Sequence, residues 1–187
     1  MSKFPDLFVL RHGETEWNTQ GKFQGRKDSP LTENGKSQAR KQNEILSQIP
    51  DAPSRVYVSP QDRATHTARL ATAAHHEVIY DDRLMEIAFG QWEGATRSFI
   101  REQIDYSYES YHWYFRSPGG ESFDDICERV DSFLNEQNEP VIIVTHGVTS
   151  LVLRGLWLGL DQDDLLRLPR TQGCVFHLTN GIETVLT

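Results

Sequence analysis

The sequence predicts an α/β fold: a single three-layer α/β/α domain over residues 1–187, with a mostly parallel central sheet, an antiparallel edge strand and a helical cap insertion at roughly 92–120. Three observations lead there. Short runs rich in branched and aromatic residues recur with helical patterns between them, the alternation expected of strand–helix–strand units. One run, VIIV at 141–144, is apolar at every position, as in a central strand covered on both faces. The 187 residues hold no internal repeat and no low-complexity linker, which suits one domain with a sizeable core.

The elements follow in order. DLFVLR (6–11) is the first strand, and TENGKSQARKQNEILSQI (32–49) the first long helix. RVYVS (55–59) is the second strand; Ser59 would cap the helix over 60–75, with Pro60 in its first turn and His75 and His76 at its end. EVIY (77–80) is the third strand. The cap insertion carries Tyr106, Tyr108, Tyr111, Trp113, Tyr114 and Phe115, an aromatic wall for a ligand ring or simply the packing of the cap, and Arg97, Arg101 and Arg116, for anionic groups or solvent. Over 122–138, Phe123, Ile126, Cys127, Val130, Phe133 and Leu134 keep helical spacing behind a Ser122 cap. PVIIVTH (140–146) is the central strand, and VTSLVLRGLWL (148–158) a buried helix. Asp161, Asp163 and Asp164 read as a solvated loop rather than a cation cage, CVFHLT (174–179) as a strand, and the tail GIETVLT as the antiparallel edge.

A net charge of −8 argues against nucleic acid or an anionic membrane as partner. Apolar stretches are too short to span a bilayer, and the opening MSKFPDLFVL lacks the zones of a signal peptide. Cys127 and Cys174 lie among apolar residues without metal spacing, as reduced thiols in a cytoplasmic protein would. Aromatics exposed on the cap would suit a homodimer.

In parallel α/β sheets, sites form outside the carboxyl ends of the strands. There the first strand delivers Arg11, His12 and Gly13; the second Ser59, Pro60 and then Arg63; the central one Thr145, His146 and Gly147. Two arginines and two histidines converge on one edge. Arginine forks match phosphoryl oxygens, and a helix N-terminus beside Arg63 would add donors. A neutral imidazole is a competent nucleophile toward phosphorus, and a second one can donate to an oxygen as charge builds. Glu86, set between Met85 and Ile87, is the candidate acid for the leaving group, because partial burial favours the neutral carboxyl. Glu14 and Glu16 look like the acidic start of a helix or loop instead. This chemistry calls for no metal and no cofactor.

With these residues assembled, the chain resembles the histidine phosphatase superfamily, the phosphoglycerate-mutase-like enzymes. LRHGETEWN, GKFQGRKDSPLTENGKSQA, SPQDRATHTA, LMEIAFGQWEG and VTHG match its blocks in order from about residue 7 to 150. The resemblance implies that His12 becomes phosphohistidine, that Arg11, Arg63 and His146 hold the phosphoryl oxygens, and that Glu86 donates the proton. Asn18, Gln24 and Gly147 would add substrate contacts. Gln61 and His66 stand where leucine and glutamine are frequent, and Lys22 where arginine is. FGQWEG and SPGGES (117–122) resemble the phosphatase branch, near α-ribazole phosphatases and broad-specificity phosphomonoesterases. The implied activity is that of a metal-independent histidine acid-type phosphatase, acting on a small phosphorylated metabolite. Mutase-type phosphoryl transfer and a non-catalytic phospho-ligand module are the alternatives.

Overall fold

The computed structural model describes residues 3–72, 76–104 and 111–187. Its strands are β1 (Leu7–Arg11), β2 (Arg55–Val58), β3 (Glu77–Tyr80), β4 (Val141–Thr145), β5 (Val175–Thr179) and β6 (Ile182–Leu186). The helices are α1 (Glu16–Thr19), α2 (Glu33–Ser47), α3 (Asp62–Ala71), α4 (Arg97–Gln103), α5 (Phe123–Asn135), α6 (Gly147–Leu158) and α7 (Gln162–Leu165). The strands form one sheet in the order β3–β2–β4–β1–β5–β6. β1 to β4 run parallel. β5 runs antiparallel to β1, and β6, the predicted edge strand, antiparallel to β5.

Alternation along β1 and β4 builds both layers of core at once. Leu7, Val9, Val141 and Ile143 join Ile126, Val130 and Phe133 of α5 and Leu151 and Val152 of α6 on one face. Phe8, Leu10, Ile142 and Val144 meet Leu46 of α2 and Ala64, Ala68 and Ala71 of α3 on the other. Every residue of β4 is buried, as the apolar run predicts.

The parallel register sets Arg11 opposite Thr145, so β1 and β4 release His12 and His146 at the same level of the sheet. Bonds from His12 N–H to Thr145 O (2.9 Å) and from Ser59 N–H to Val144 O (3.0 Å) extend the pairing past the strand ends. Gly13 is demanded by a close approach: a Cβ there would lie 2.2 Å from Gly35 O, and one on Gly35 would lie 2.0 Å from Glu14 O. The first turn of α2 thus presses on the backbone after His12, which explains two glycines of the matched blocks.

Local expectations fared unevenly. Ser122 caps α5, with Asp125 completing a capping box. Ser59 does not cap α3. That helix begins at Asp62 with Gln61 as N-cap and no side-chain cap, because the Ser59 hydroxyl faces His146. α3 ends at Ala71, so His76 precedes β3 instead of closing a helix. The aspartates expected in a loop belong to α7: Asp161 caps it, Asp164 pairs with Arg167 and Asp163 meets His112. Cys127 is half-buried, Cys174 is buried, and both thiols are free. Trp92 and Trp157 lie in the core.

Over the site, Trp113 and Tyr114 are buried, and Trp113 meets Phe23 edge-on at 5.4 Å. Phe115 packs on Phe123 at 5.1 Å. The packing alternative therefore holds for Trp113 and Phe115, while Tyr114, though buried, also lines the cavity at the strand ends. Arg101 and Arg116 are exposed. Tyr106, Tyr108, the Tyr111 side chain and His75 lie outside the described residues.

Candidate active site

The carboxyl ends of β2, β4 and β1 surround a cavity of about 480 Å³, lined by Arg11, His12, Asn18, Gln24, Arg63, Glu86 and Gly147, with residues of the cap above. All eight residues expected at the site come together here. Seven line the cavity; His146 sits behind, its ring centroid 5.2 Å from that of His12.

His12 is 2 % exposed. Its Nδ1 lies 2.7 Å from Gly13 O, and since a carbonyl can only accept, Nδ1 carries the proton. The Nε2 lone pair is left for the cavity. Burial holds this imidazole well below its ordinary pKa of 6.5, and the Arg63 and Arg11 cations push the same way. At neutral pH the ring is uncharged, the state a nucleophile needs.

His146 is fully buried, and its Nε2 is 2.7 Å from Ser59 Oγ. Ser59 Oγ also accepts from Gln61 N–H at 3.4 Å, leaving its own hydrogen free to donate to Nε2. This chain of donors puts the His146 proton on Nδ1. Burial first, then Arg63, His12 and Arg11, keep this ring neutral as well.

Arg11 donates through Nη1 to Arg170 O at 2.7 Å. Burial draws its pKa down, and the Glu86 charge is the main opposing influence. Arg63, 1 % exposed, is fixed from the rear by Lys27 O (2.8 Å), Asp28 Oδ1 (2.9 Å) and Gly25 O (2.9 Å). Four buried side-chain polar atoms lack a hydrogen-bond partner among the described residues, and three of them are Arg11 Nε, Arg63 Nε and His146 Nδ1. A buried donor left unpaired costs about 1–3 kcal/mol. An anion with several acceptor oxygens would satisfy all three.

The expected helix-terminus seat beside Arg63 is not built. The Arg63 N–H of the first α3 turn is directed at Asp28 Oδ1, 3.4 Å away. The carboxylate of Glu86 takes the other N-terminus, that of α6. It accepts from Thr149 N–H (3.0 Å), Thr149 Oγ1 (3.1 Å), Val148 N–H (3.2 Å) and Ile87 N–H (3.1 Å). Glu86 is buried as expected, yet in a cradle of donors rather than among hydrocarbon.

Asn18 Oδ1 accepts from Thr15 N–H at 3.1 Å, so its amide N–H₂ is what it can offer a ligand. Gln24 is held between Thr15 Oγ1 (2.8 Å) and Ser29 Oγ (3.2 Å), with one amide hydrogen to spare. Gly147 puts the position of a missing Cβ 3.5 Å from the Arg11 guanidinium.

Sequence reasoning missed several supports. Gln61 bridges Glu86 N–H (2.7 Å) and Gly25 O (2.8 Å). It was legible only as a departure from the leucine frequent there. Glu121 accepts from Ala88 N–H (2.7 Å) and from Arg129 Nε (2.7 Å), fixing the loop that carries Glu86. Gln172 donates to His12 O at 2.9 Å from a segment whose sequence gives no signal.

The family model of the histidine phosphatase superfamily (branch 1) matches residues 7–183. The chain is 34% identical over 167 residues to phosphoserine phosphatase 1 of Hydrogenobacter thermophilus, covering 83% of this chain and 77% of that one. It is 33% identical to the adenosylcobalamin/alpha-ribazole phosphatase of Salmonella typhimurium, over 90% of this chain and 87% of the other. Among solved structures, YhfR of Bacillus stearothermophilus superposes with a TM-score of 0.79 at 33% identity, covering 97% of this chain and 95% of that one.

Proposed function

Because the chain belongs to the histidine phosphatase superfamily, we propose that it is a phosphoric monoester hydrolase of the histidine acid type, working without a metal on a small phosphorylated metabolite. Its similarity to phosphoserine and α-ribazole phosphatases supports hydrolysis of small phosphomonoesters. The observation that carries the mechanism is the tautomer of His12: its proton is engaged by Gly13 O, and its Nε2 lone pair is directed into a cavity edged by unpaired arginine donors.

In the first step His12 Nε2 attacks phosphorus while the ester P–O bond breaks, and protonated Glu86 gives its proton to the departing oxygen. Arg11 Nε, Arg63 Nε and His146 Nδ1–H take the three non-bridging oxygens, whose charge they stabilise in the transition state. In the second step Glu86 accepts a proton from water as the water oxygen attacks phosphorus. The P–N bond breaks, releasing inorganic phosphate and restoring His12. Two free thiols fit a reducing compartment, and the cytoplasm is the location we propose. No helix among the described residues is long and apolar enough to cross a membrane.

Release of phosphate from a panel of phosphomonoesters in excess EDTA tests this reading. Turnover should persist in the wild type, fall at least about 1,000-fold in His12→Ala and about 100-fold in Glu86→Gln. Equal turnover in His12→Ala, or dependence on added metal, would remove it.

A further inference from the structure

The backbone that follows β1 carries the proposed nucleophile, and its polar groups are bonded one by one. Arg11 O accepts from Gln42 Nε2 at 3.0 Å, and His12 O from Gln172 Nε2 at 2.9 Å. Gly13 N–H donates to Thr67 Oγ1 at 3.0 Å, and Glu14 O accepts from Thr32 N–H at 2.9 Å. One peptide of this run differs from the rest. The unit joining Gly13 to Glu14 offers its carbonyl to the His12 ring, whose Nδ1 lies 2.7 Å away, and its N–H to Gln38 Oε1 at 2.8 Å. Gln38 stands in one of the matched sequence blocks, at GKSQA, and no step of the mechanism above uses it.

Helix geometry sets Gln38 in place. Gln38 and Gln42 stand one turn apart on α2, so both amides reach the backbone after β1. The missing Cβ of Gly173 would lie 3.1 Å from Gln38 Cγ, so the stem packs on the segment that carries Gln172. A peptide N–H only donates, which makes the amide atom facing Glu14 the oxygen. The bonds therefore run in one direction, from His12 Nδ1–H into Gly13 O and from Glu14 N–H into Gln38 Oε1. Bonds linked in this way polarise one another: an acceptor drawing on the N–H makes the carbonyl of the same peptide more negative. That carbonyl is needed most during the reaction. As Nε2 bonds to phosphorus and the ester P–O bond breaks, the His12 ring gains positive charge while its proton stays on Nδ1. When water then displaces the ring, the P–N bond breaks and the ring returns to neutral with the same proton. Stabilising a charge that the substrate complex lacks raises kcat and leaves binding alone.

We propose that Gln38 is a positioning residue for the nucleophile: through the Gly13–Glu14 peptide it strengthens the carbonyl that fixes the His12 proton on Nδ1 and offsets the charge the ring acquires. The proposal rests on the phosphatase reading with His12 as nucleophile, and it extends that reading to a side chain outside the cavity lining. The two arginines beside the ring, Arg63 and Arg11, oppose positive charge on it, whereas the bond to Gly13 O favours that charge. His146, the other ring in reach, is itself held neutral by burial. The peptide that Gln38 polarises is thus the local counterweight to the cations that hold the phosphoryl oxygens.

Two substitutions test it. Gln38→Met keeps the length of the stem and removes the acceptor, and Gln38→Glu keeps an oxygen in its place. The His12 Nδ1 proton resonance, assigned by its loss in His12→Ala, reads the bond to Gly13 O directly, since a stronger bond moves it downfield. It should move upfield in Gln38→Met and stay near the wild-type position in Gln38→Glu. Across the panel of phosphomonoesters kcat should fall about tenfold in Gln38→Met, with KM changed by less than about twofold, and recover in Gln38→Glu. A side chain with a structural role alone would lower stability in urea titration and leave the resonance where it is. An unmoved resonance or an unchanged kcat in Gln38→Met would overturn the proposal and leave the phosphatase reading standing. A resonance that moves as expected in a protein whose wild type hydrolyses no ester would sink the phosphatase reading and keep the hold of Gln38 on the His12 proton.

Discussion

The two sides of the cavity are built on opposite principles. On the floor, at the ends of β1, β2 and β4, polar side chains are bonded from behind: Arg63 by three acceptors of the 25–28 loop, His146 by Ser59, Glu86 by the first turn of α6. In the roof, Lys22 is half-buried beside the Trp17 ring and Arg97 is exposed beside Phe23, and Phe23, Phe89, Trp113 and Tyr114 pack edge to face. A bonded floor holds reacting atoms to a fixed geometry, which catalysis requires. An aromatic roof can exchange one side chain for another without breaking a network. In the proposed mechanism the floor acts on phosphorus, and the roof is the side left to meet the rest of the substrate.

Backbone packing offers the harshest test of that contrast. Gly13 lies in the floor, where a Cβ would meet Gly35 O at 2.2 Å. Gly21 lies in the roof at φ +65°, with nothing within 4 Å of its missing Cβ. Gly13→Ala should cost about 3 kcal/mol of stability in urea titration, since backbone cannot yield as a side chain does. Gly21→Ala should cost about 1 kcal/mol, the strain of a left-handed residue alone. Comparable losses would erase the distinction between a rigid floor and an adaptable roof.

Acid probes the floor next. The folded state lowers the pKa of both His12 and His146 below 6.5, so under pH 6.5 the unfolded chain binds protons that the native one refuses. Stability is therefore full above that value and declines as pH falls, by about 1.4 kcal/mol per pH unit for each histidine. Glu121, which burial would raise but the Arg129 bonds hold below its ordinary 4.5, enters only in more acid solution. Melting temperatures between pH 6.5 and 5 should fall less steeply in His146→Gln than in the wild type. An unchanged slope would mean that the neutral histidines are not what the floor depends on.

The same contrast decides what was legible in the sequence. Floor residues stand at strand ends, and strand ends follow from apolar runs, so Arg11, His12, Arg63 and His146 could be gathered from periodicity and topology before any coordinates. Their supports were harder to see. Ser59 looks like a helix cap in sequence, and only the β2–β4 pairing turns it toward His146. Glu86 could be chosen as an acid in an apolar stretch, but the sequence does not say that the start of α6 will be its neighbour. Arg170 and Gln172 reach the cavity from a segment without periodicity, held by Pro169 O on Arg154 and by Arg170 O on Arg11. In the cap, composition showed aromatics and arginines without telling which face inward; packing selects Arg97 and Tyr114 for the cavity and turns Arg101 and Arg116 to solvent.

Gln61 gives the finest measure of how far the floor's rigidity serves chemistry rather than binding. Gln61 is 6 % exposed, and its amide joins Glu86 N–H to Gly25 O, the carbonyl that also holds Arg63 Nη2. Gln61→Leu removes the amide and keeps most of the volume. Gly25 O would retain Arg63, while Glu86 N–H would lose the acceptor it has here. The peptide before the proposed acid would then shift toward another acceptor, and its carboxyl with it. Because the role proposed for Glu86 is on the departing oxygen and not on the bound phosphoryl group, the loss should fall on kcat, by about tenfold, with KM nearly unchanged. The effect should shrink for esters with good leaving groups, which need little protonation. If KM rises instead while kcat holds, Gln61 shapes the phosphoryl site through Gly25 and Arg63, and the line between reacting floor and selecting roof must be drawn one residue lower.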